Sequence, residues 1–231
     1  MSAIATERIR EHLRAFPMFE GASEEELSAI TAMVTFREYP RGSFILTQND
    51  RGSIMYLLVS GRVKVSLASP EGKELALSYL EAPAHFGEMA AADSEPRSAD
   101  VIAMTDVEVV GIEARDLAAV IKTQPELAIM LITSLSRRVR DLIGRLEDMA
   151  FHDATHRVMR VVLNVATASY EARGVPVIEN LTHYEIATLA GTSRETASRV
   201  ISNLGRDGIL ATRGRKIVVD LFALRDRIEH D

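Results

Sequence analysis

Thr192-Ser193-Arg194-Glu195-Thr196-Ala197-Ser198-Arg199-Val200 is the stretch on which the reading of this chain turns. Arg194, Glu195 and Arg199 stand at i, i+1 and i+5, on or near one exposed helical face. Arginine presents a planar donor fork that fits the O6 and N7 acceptors of guanine, and a carboxylate accepts from the amino group of cytosine. A short helix with both groups near its N-terminus is equipped to read base edges in a major groove. An Arg/Glu mixture also decorates many solvated helices, so the flanking sequence has to carry the distinction. Residues 184–190 form a second helical run just upstream. Gly191 supplies a tight turn, and Ala187 is small where the two helices must pack, which is a helix-turn-helix pattern.

Working outward, residues 209–212 and 216–220 read as two strands joined across Arg213-Gly214-Arg215, a wing beside the helix pair. Arg206, Arg213, Arg215 and Lys216 form a local basic cluster suited to phosphate contact, and His183 opens the first helix of the pair and can reach a phosphate too. Ser193 belongs to the same reading surface. Upstream, residues 157–170 form another helix, 174–176 a loop, and Phe151-His152-Asp153 a hinge. His152 beside Asp153 has the look of a catalytic pair, but no nucleophile or oxyanion device accompanies it, and the chain reads as no enzyme.

The overall charge of −6 looks wrong for a nucleic-acid binder until it is divided. From Asp153 onward there are 11 Arg and Lys against 10 Asp and Glu, whereas residues 1–152 hold 16 against 23. The acidic excess therefore sits in the N-terminal part. There is no cysteine, which excludes disulfide scaffolds, thiolate metal sites and cysteine-ligated iron–sulfur clusters; no metal is expected. No apolar run approaches the roughly 20 residues of a membrane helix. The first residues lack the basic-then-apolar order of a signal peptide, so the expected location is the cytoplasm, with no membrane partner.

Residues 7–33 read as short helices, with Ser23 and Glu26 at capping-box spacing. From 34 to 112 the texture changes to short β-type runs at 43–47, 54–59, 63–67, 75–80, 101–104 and 107–112, punctuated by glycines. That pattern predicts a β-sandwich or barrel. Residues 116–122 form a short helix, and Pro125 opens a long one. Along it Ile132, Leu135, Val139, Leu142, Leu146 and Met149 recur in steps of 3 and 4, a heptad seam flanked by charge. A stripe this narrow calls for a partner helix, hence a homodimer, with packing on the chain's own β domain as the alternative.

Phe86-Gly87-Glu88-Met89-Ala90 and Pro96-Arg97-Ser98-Ala99 form a second constellation. Arg97 can fork onto a phosphate, Ser98 can donate a second hydrogen bond, Glu88 can accept from a ribose hydroxyl, and Gly87 lets backbone approach closely. The alternative is a Glu88–Arg97 ion pair inside a roll that binds nothing. His85, just before it, is either structural or a haem ligand.

The order β-roll, long helix, winged helix-turn-helix resembles the cyclic AMP receptor protein/FNR (CRP/FNR) family of bacterial transcription regulators. The likeness spans essentially the whole chain. The Ser193–Arg199 segment is similar to the receptor-protein branch, and the segment with Gly87, Glu88, Met89, Arg97 and Ser98 resembles the phosphate-binding cassette of cyclic-nucleotide domains. The resemblance implies an α+β fold: a jelly-roll-like cyclic-nucleotide-binding β-roll at 1–124, a dimerisation helix at 125–150 and a winged helix-turn-helix at 151–231. It implies a homodimeric regulator of double-stranded DNA, gated by cAMP, cGMP or a related effector. Arg194, Glu195 and Arg199 would read a palindromic TGTGA-like half-site, and the loop at 173–177 would meet RNA polymerase. One departure stands out. In cAMP-responsive members polar residues of the dimer helix meet the adenine, whereas the matching positions here are Leu142 and Ile143. A cyclic dinucleotide, ligand-free activity, a haem sensor and a sensor acting through a protein partner stay open as alternatives.

Overall fold

Between residues 34 and 113 the β-branched and aromatic runs fold into eight strands, and the turns between them carry glycine, proline, asparagine and aspartate. The protein is described here from a computed structural model, over residues 3–14, 16, 19, 21–72, 74–179, 181–213 and 216–230. The chain falls into two compact units, one of residues 1–73 and 77–139, the other of residues 74–76 and 140–231.

In the first unit, helices α1 (Ala3–Arg14) and α2 (Glu24–Met33) precede the strands. Ser23 caps α2 as expected: its hydroxyl accepts from Glu26 N at 3.3 Å, and the Glu26 carboxylate accepts from Ser23 N at 2.7 Å. The strands are β1 (Val34–Tyr39), β2 (Phe44–Leu46), β3 (Ile54–Ser60), β4 (Arg62–Ala68), β5 (Glu74–Glu81, its first three residues counted with the second unit), β6 (Ala84–Phe86), β7 (Asp100–Ala103) and β8 (Val107–Glu113). They form two four-stranded sheets, ordered β1-β8-β3-β6 and β2-β7-β4-β5. The six expected runs are all strands; β1 and the three-residue β6 are additions. Helix α3 (Glu88–Asp93) lies between β6 and β7, and α4 (Ala114–Thr123) follows β8.

The sheets enclose one core, made of Ile45, Tyr56, Leu58, Val63, Phe86, Val101, Ala103, Val107 and Val109. A second core fills the other face of the first sheet, where Met55, Leu57, Val110 and Ile112 meet Leu13, Phe19, Leu27, Ile30, Leu117, Leu127 and Leu131 from the helices. Strands β3 and β8 are therefore apolar on both faces, and each has four consecutive buried residues in place of the usual alternation. This is the expected jelly-roll-like β-roll of an α+β protein.

Helix α5 (Pro125–Phe151) runs for 27 residues and belongs to both units. Only Leu127 and Leu131 are buried along it. The seam residues Ile132, Val139, Leu142, Leu146 and Met149 are exposed, Leu146 by 66%, and Leu135 is half-buried.

In the second unit, α6 (Ala154–Arg173) starts after a break at His152–Asp153, where the Asp153 carboxylate accepts from His156 N at 2.9 Å. Asp153 is thus a helix cap. Then come β9 (Val177–Glu179), α7 (His183–Leu189), α8 (Arg194–Arg206), β10 (Leu210–Arg213), β11 (Lys216–Val219) and α9 (Leu221–His230). The sheet order is β10-β11-β9, so the expected two-stranded wing has a third strand. Val158, Met159, Val162, Ile186, Ala197, Val200, Ile201, Leu204 and Leu224 build this unit's core. Among the described residues no single helix is long and apolar enough to cross a membrane.

Candidate effector cradle and nucleic-acid interface

Gly87 joins β6 to α3 at φ +79°, a left-handed backbone that side-chain-bearing residues rarely adopt. The turn aims the Gly87 carbonyl at Arg97, whose Nη1 donates to it at 2.9 Å while Nη2 donates to the Ile54 carbonyl, also at 2.9 Å. A Cβ on Gly87 or on Gly52 would come within 2.9 Å of the guanidinium, so both glycines clear the space it occupies. Backbone bonds fix the loop itself: Arg97 N donates to Asp50 O, and Asn49 N to Arg97 O, each at 2.9 Å.

Arg97 is only 6% exposed. Burial pulls its pKa down, against the opposing influence of Tyr56, Glu88 and Glu113. Among the described residues no carboxylate forms an ion pair with it. A guanidinium has five N–H donors, and two carbonyl bonds leave several unspent. The Glu88–Arg97 pair weighed from the sequence does not form. Glu88, 3% exposed, instead pairs through Oε1 with Arg138 of α5, whose Nη2 also donates to the His85 carbonyl at 2.7 Å. The other Glu88 oxygen, Oε2, is buried and has no hydrogen-bond partner. The cradle therefore holds a buried cation without a counter-anion and a buried carboxylate oxygen without a donor. Those are the complements of a phosphate and a ribose hydroxyl, and the residues fit a cyclic nucleotide's sugar-phosphate.

Met89 and Ser98 are exposed at the edge of the cradle, with the Ser98 hydroxyl 3.8 Å from Met89 Sδ. Burial, with Arg138 adding to it, pushes the His85 imidazole down to about 4. Leu142 and Ile143 lie farther along α5, in the other unit, and are exposed. In the sequence Arg138 is only part of the charge flanking the seam; the structure places its guanidinium on Glu88.

The helix-turn-helix is built from local chemistry. Thr182 and Glu185 form a reciprocal capping box at the start of α7. Gly191, at φ +59°, makes the turn, and Ser193 caps α8 by accepting from Thr196 N at 3.1 Å. Buried Ala197, Val200, Ile201 and Leu204 hold α8 down, leaving Arg194, Glu195 and Arg199 exposed as expected. Its own backbone N–H and the Ser193 hydroxyl hold the Glu195 carboxyl below the usual carboxylate range. His183 does not stand free: its Nδ1 shares a 3.0 Å hydrogen bond with Ser198 of α8. Lys216 pairs with Glu179 of β9, and Arg213 is exposed at the strand end. Arg215 lies outside the described residues. Arg157, which the sequence reading also passed over, donates to the Ala190 carbonyl at 2.9 Å, to Gly191 at 3.3 Å and to His152 at 3.0 Å, tying the turn to the α5–α6 junction.

Residues 36–124 match a cyclic nucleotide-binding domain, and residues 156–227 a Crp-like helix-turn-helix domain. The cyclic AMP receptor protein of Thermus thermophilus is 32% identical over 94% of this chain and 98% of its own length. This chain belongs to the CRP/FNR family. Family members are transcription regulators, not enzymes, and this one pairs a cyclic-nucleotide-binding domain with a DNA-binding helix-turn-helix. The crystal structure of the Thermus thermophilus catabolite activator protein is similar at 32% identity, with a TM-score of 0.53, over 93% of this chain and 99% of that one. The c-di-GMP-responsive global regulator CLP of Xanthomonas campestris is similar at 25% identity, with a TM-score of 0.69, over 85% and 99%.

Proposed function

We propose that the protein is a homodimeric, effector-gated regulator that reads a palindromic TGTGA-like site. The observation that carries the effector is the pair of unspent groups in the cradle: the Arg97 guanidinium, buried without a counter-anion, and the orphaned Glu88 Oε2. Arg97 would hold the phosphate of a cyclic nucleotide and Glu88 the ribose hydroxyl. Arg138 would position Glu88, and because it stands on α5 it would link cradle occupancy to the dimer helix. The uncovered Ile132–Met149 stripe supports a homodimer seam. Arg194, Glu195 and Arg199 would then read base edges in two successive major grooves about one helical turn apart, while Arg213 contacts phosphate. The exposed turn at Gly174 and Val175 is the surface offered to RNA polymerase, and the site of action is the cytoplasm.

A second reading rests on Leu142 and Ile143. Neither hydrogen-bonds a purine, and a buried adenine amino group without a partner costs about 1–3 kcal/mol, roughly one to two decades of affinity. These side chains favour an effector other than cAMP, of the cGMP or cyclic dinucleotide class, or activity without ligand. Binding to a TGTGA–N6–TCACA duplex, titrated at fixed salt with and without cAMP, separates the readings. A tenfold gain with cAMP means about 1.4 kcal/mol of coupling. Tight binding that cAMP leaves unchanged supports the second reading, and no sequence preference at all overturns both.

A further inference from the structure

We propose that Asp148, His152 and His156 form a binding site for one divalent transition-metal ion at the α5–α6 junction. The three residues are spaced at i, i+4 and i+8. In an unbroken helix the first and last would stand about 12 Å apart along the axis and could not share an ion. Here the helix stops at Phe151, and α6 begins at Ala154 with Asp153 as its cap. This break brings one ligand atom from each residue within 4.8 Å of the other two. The imidazoles of His152 and His156 lie face to face, 3.7 Å between centroids and 6° from parallel. Ligand atoms around a tetrahedral zinc ion are about 3.3 Å apart, so atoms within 4.8 Å of one another stand close to coordinating distance.

The donor set narrows the ion. Two imidazoles and one carboxylate suit Zn²⁺, Co²⁺, Ni²⁺ or Cu²⁺, whereas Mg²⁺ and Ca²⁺ take oxygen shells. Three protein ligands leave a fourth position for water. The Arg160 Nε lies 3.4 Å from Asp148 Oδ1. The two form an ion pair, and the arginine's charge opposes tight metal binding there. Arg157, bonded to the His152 carbonyl, steadies the same turn from the other side. A metal ion here joins the last turn of α5 to the first turn of α6, so its affinity depends on the angle of that junction. The inference uses none of the cradle residues and stands apart from the reading of the effector.

The test is zinc uptake by the tag-free full-length protein after chelator treatment, measured by competition with a chromophoric indicator. One Zn²⁺ per chain is expected, with affinity at least 30-fold weaker in the His152→Gln/His156→Gln variant and no comparable binding of Mg²⁺. His230→Ala, at the exposed His230–Asp226 pair, should leave uptake unchanged. Circular dichroism of each variant, matched to wild type, verifies the fold. His156→Gln alone is the second variant should the double one fail that check, and it should weaken binding at least tenfold. No zinc uptake at micromolar concentrations, equal uptake by the histidine variants, or loss of uptake in His230→Ala overturns the site.

Discussion

Replacing Arg138 by methionine tests the electrostatics of the cradle. Methionine keeps much of the aliphatic stem and removes the charge that holds Glu88. The carboxylate is 3% exposed, and its second oxygen already lacks a partner, so the substitution strands a buried anion. Breaking a fully buried ion pair costs about 3–5 kcal/mol, and a hydrogen bond to a charged group contributes about 1.5–3 kcal/mol. The Arg138 side chain is 35% exposed, so water already screens the attraction in the wild type, and the expected loss at pH 7 is about 2 kcal/mol. Glu88→Gln removes the anion without changing its shape, and the double variant should recover most of the loss. His85 adds a pH signature. Its imidazole is held at about 4, below the ordinary 6.5, so the folded chain refuses a proton that the unfolded chain accepts. Wild-type stability therefore falls as pH drops from 6.5 through about 4, by on the order of 3 kcal/mol across the window. Arg138 is one cause of that depression, and without it His85 titrates higher and the acid loss shrinks. The gap between wild type and Arg138→Met should narrow between pH 7 and pH 5. Urea unfolding of the four proteins of the cycle at both pH values measures this. A coupling below 0.5 kcal/mol, or a gap that widens on acidification, refutes the reasoning.

Three further outcomes are expected. Arg97→Leu should weaken effector binding by about 2–3 kcal/mol, roughly 30- to 150-fold, while leaving effector-independent DNA contacts intact; isothermal titration that finds unchanged affinity removes Arg97 from the phosphate position. Arg194→Ala should cost about 1–3 kcal/mol on the preferred duplex and relax preference at one G·C pair, and a variant that still selects that base refutes the assignment. Val139→Asp with Leu146→Asp places two charges on the seam, and sedimentation at micromolar concentration should find monomer; a persistent dimer would mean that another face joins the chains.

The helix-turn-helix was legible because its determinants are local. Gly191, Ser193 and the buried period of Ala197, Val200, Ile201 and Leu204 all act within one or two turns. The cassette was legible as residue types, but its wiring was not. Glu88 and Arg138 are 50 residues apart, and nothing in the helical pattern of α5 says that one flanking arginine turns inward. In the sequence His183 can reach a phosphate and shows no partner, because Ser198 lies 15 positions away on the next helix. The pairing of Lys216 likewise depends on β9, whose three residues are too few to produce a periodic signal. Asp148, His152 and His156 follow helical spacing in the sequence, and only the break at residue 152 makes them neighbours.

Strand β3 has a liability that the fold must correct. Met55, Tyr56, Leu57 and Leu58 are apolar toward both layers, so slipping the strand by one position would swap one greasy residue for another at little cost in burial. Hydrophobicity alone therefore does not hold the strand in place. Shape does. The Tyr56 ring lies opposite Gly111, the one partner along β8 with no side chain, and the irregularity between Leu58 and Ser60 locks the far end. A slip would carry the Ile54 carbonyl about 3.3 Å away from the arginine that it steadies. Bulk introduced at position 111 would thus disturb the setting of Arg97 without touching it, and strand alignment becomes part of how the cradle is built.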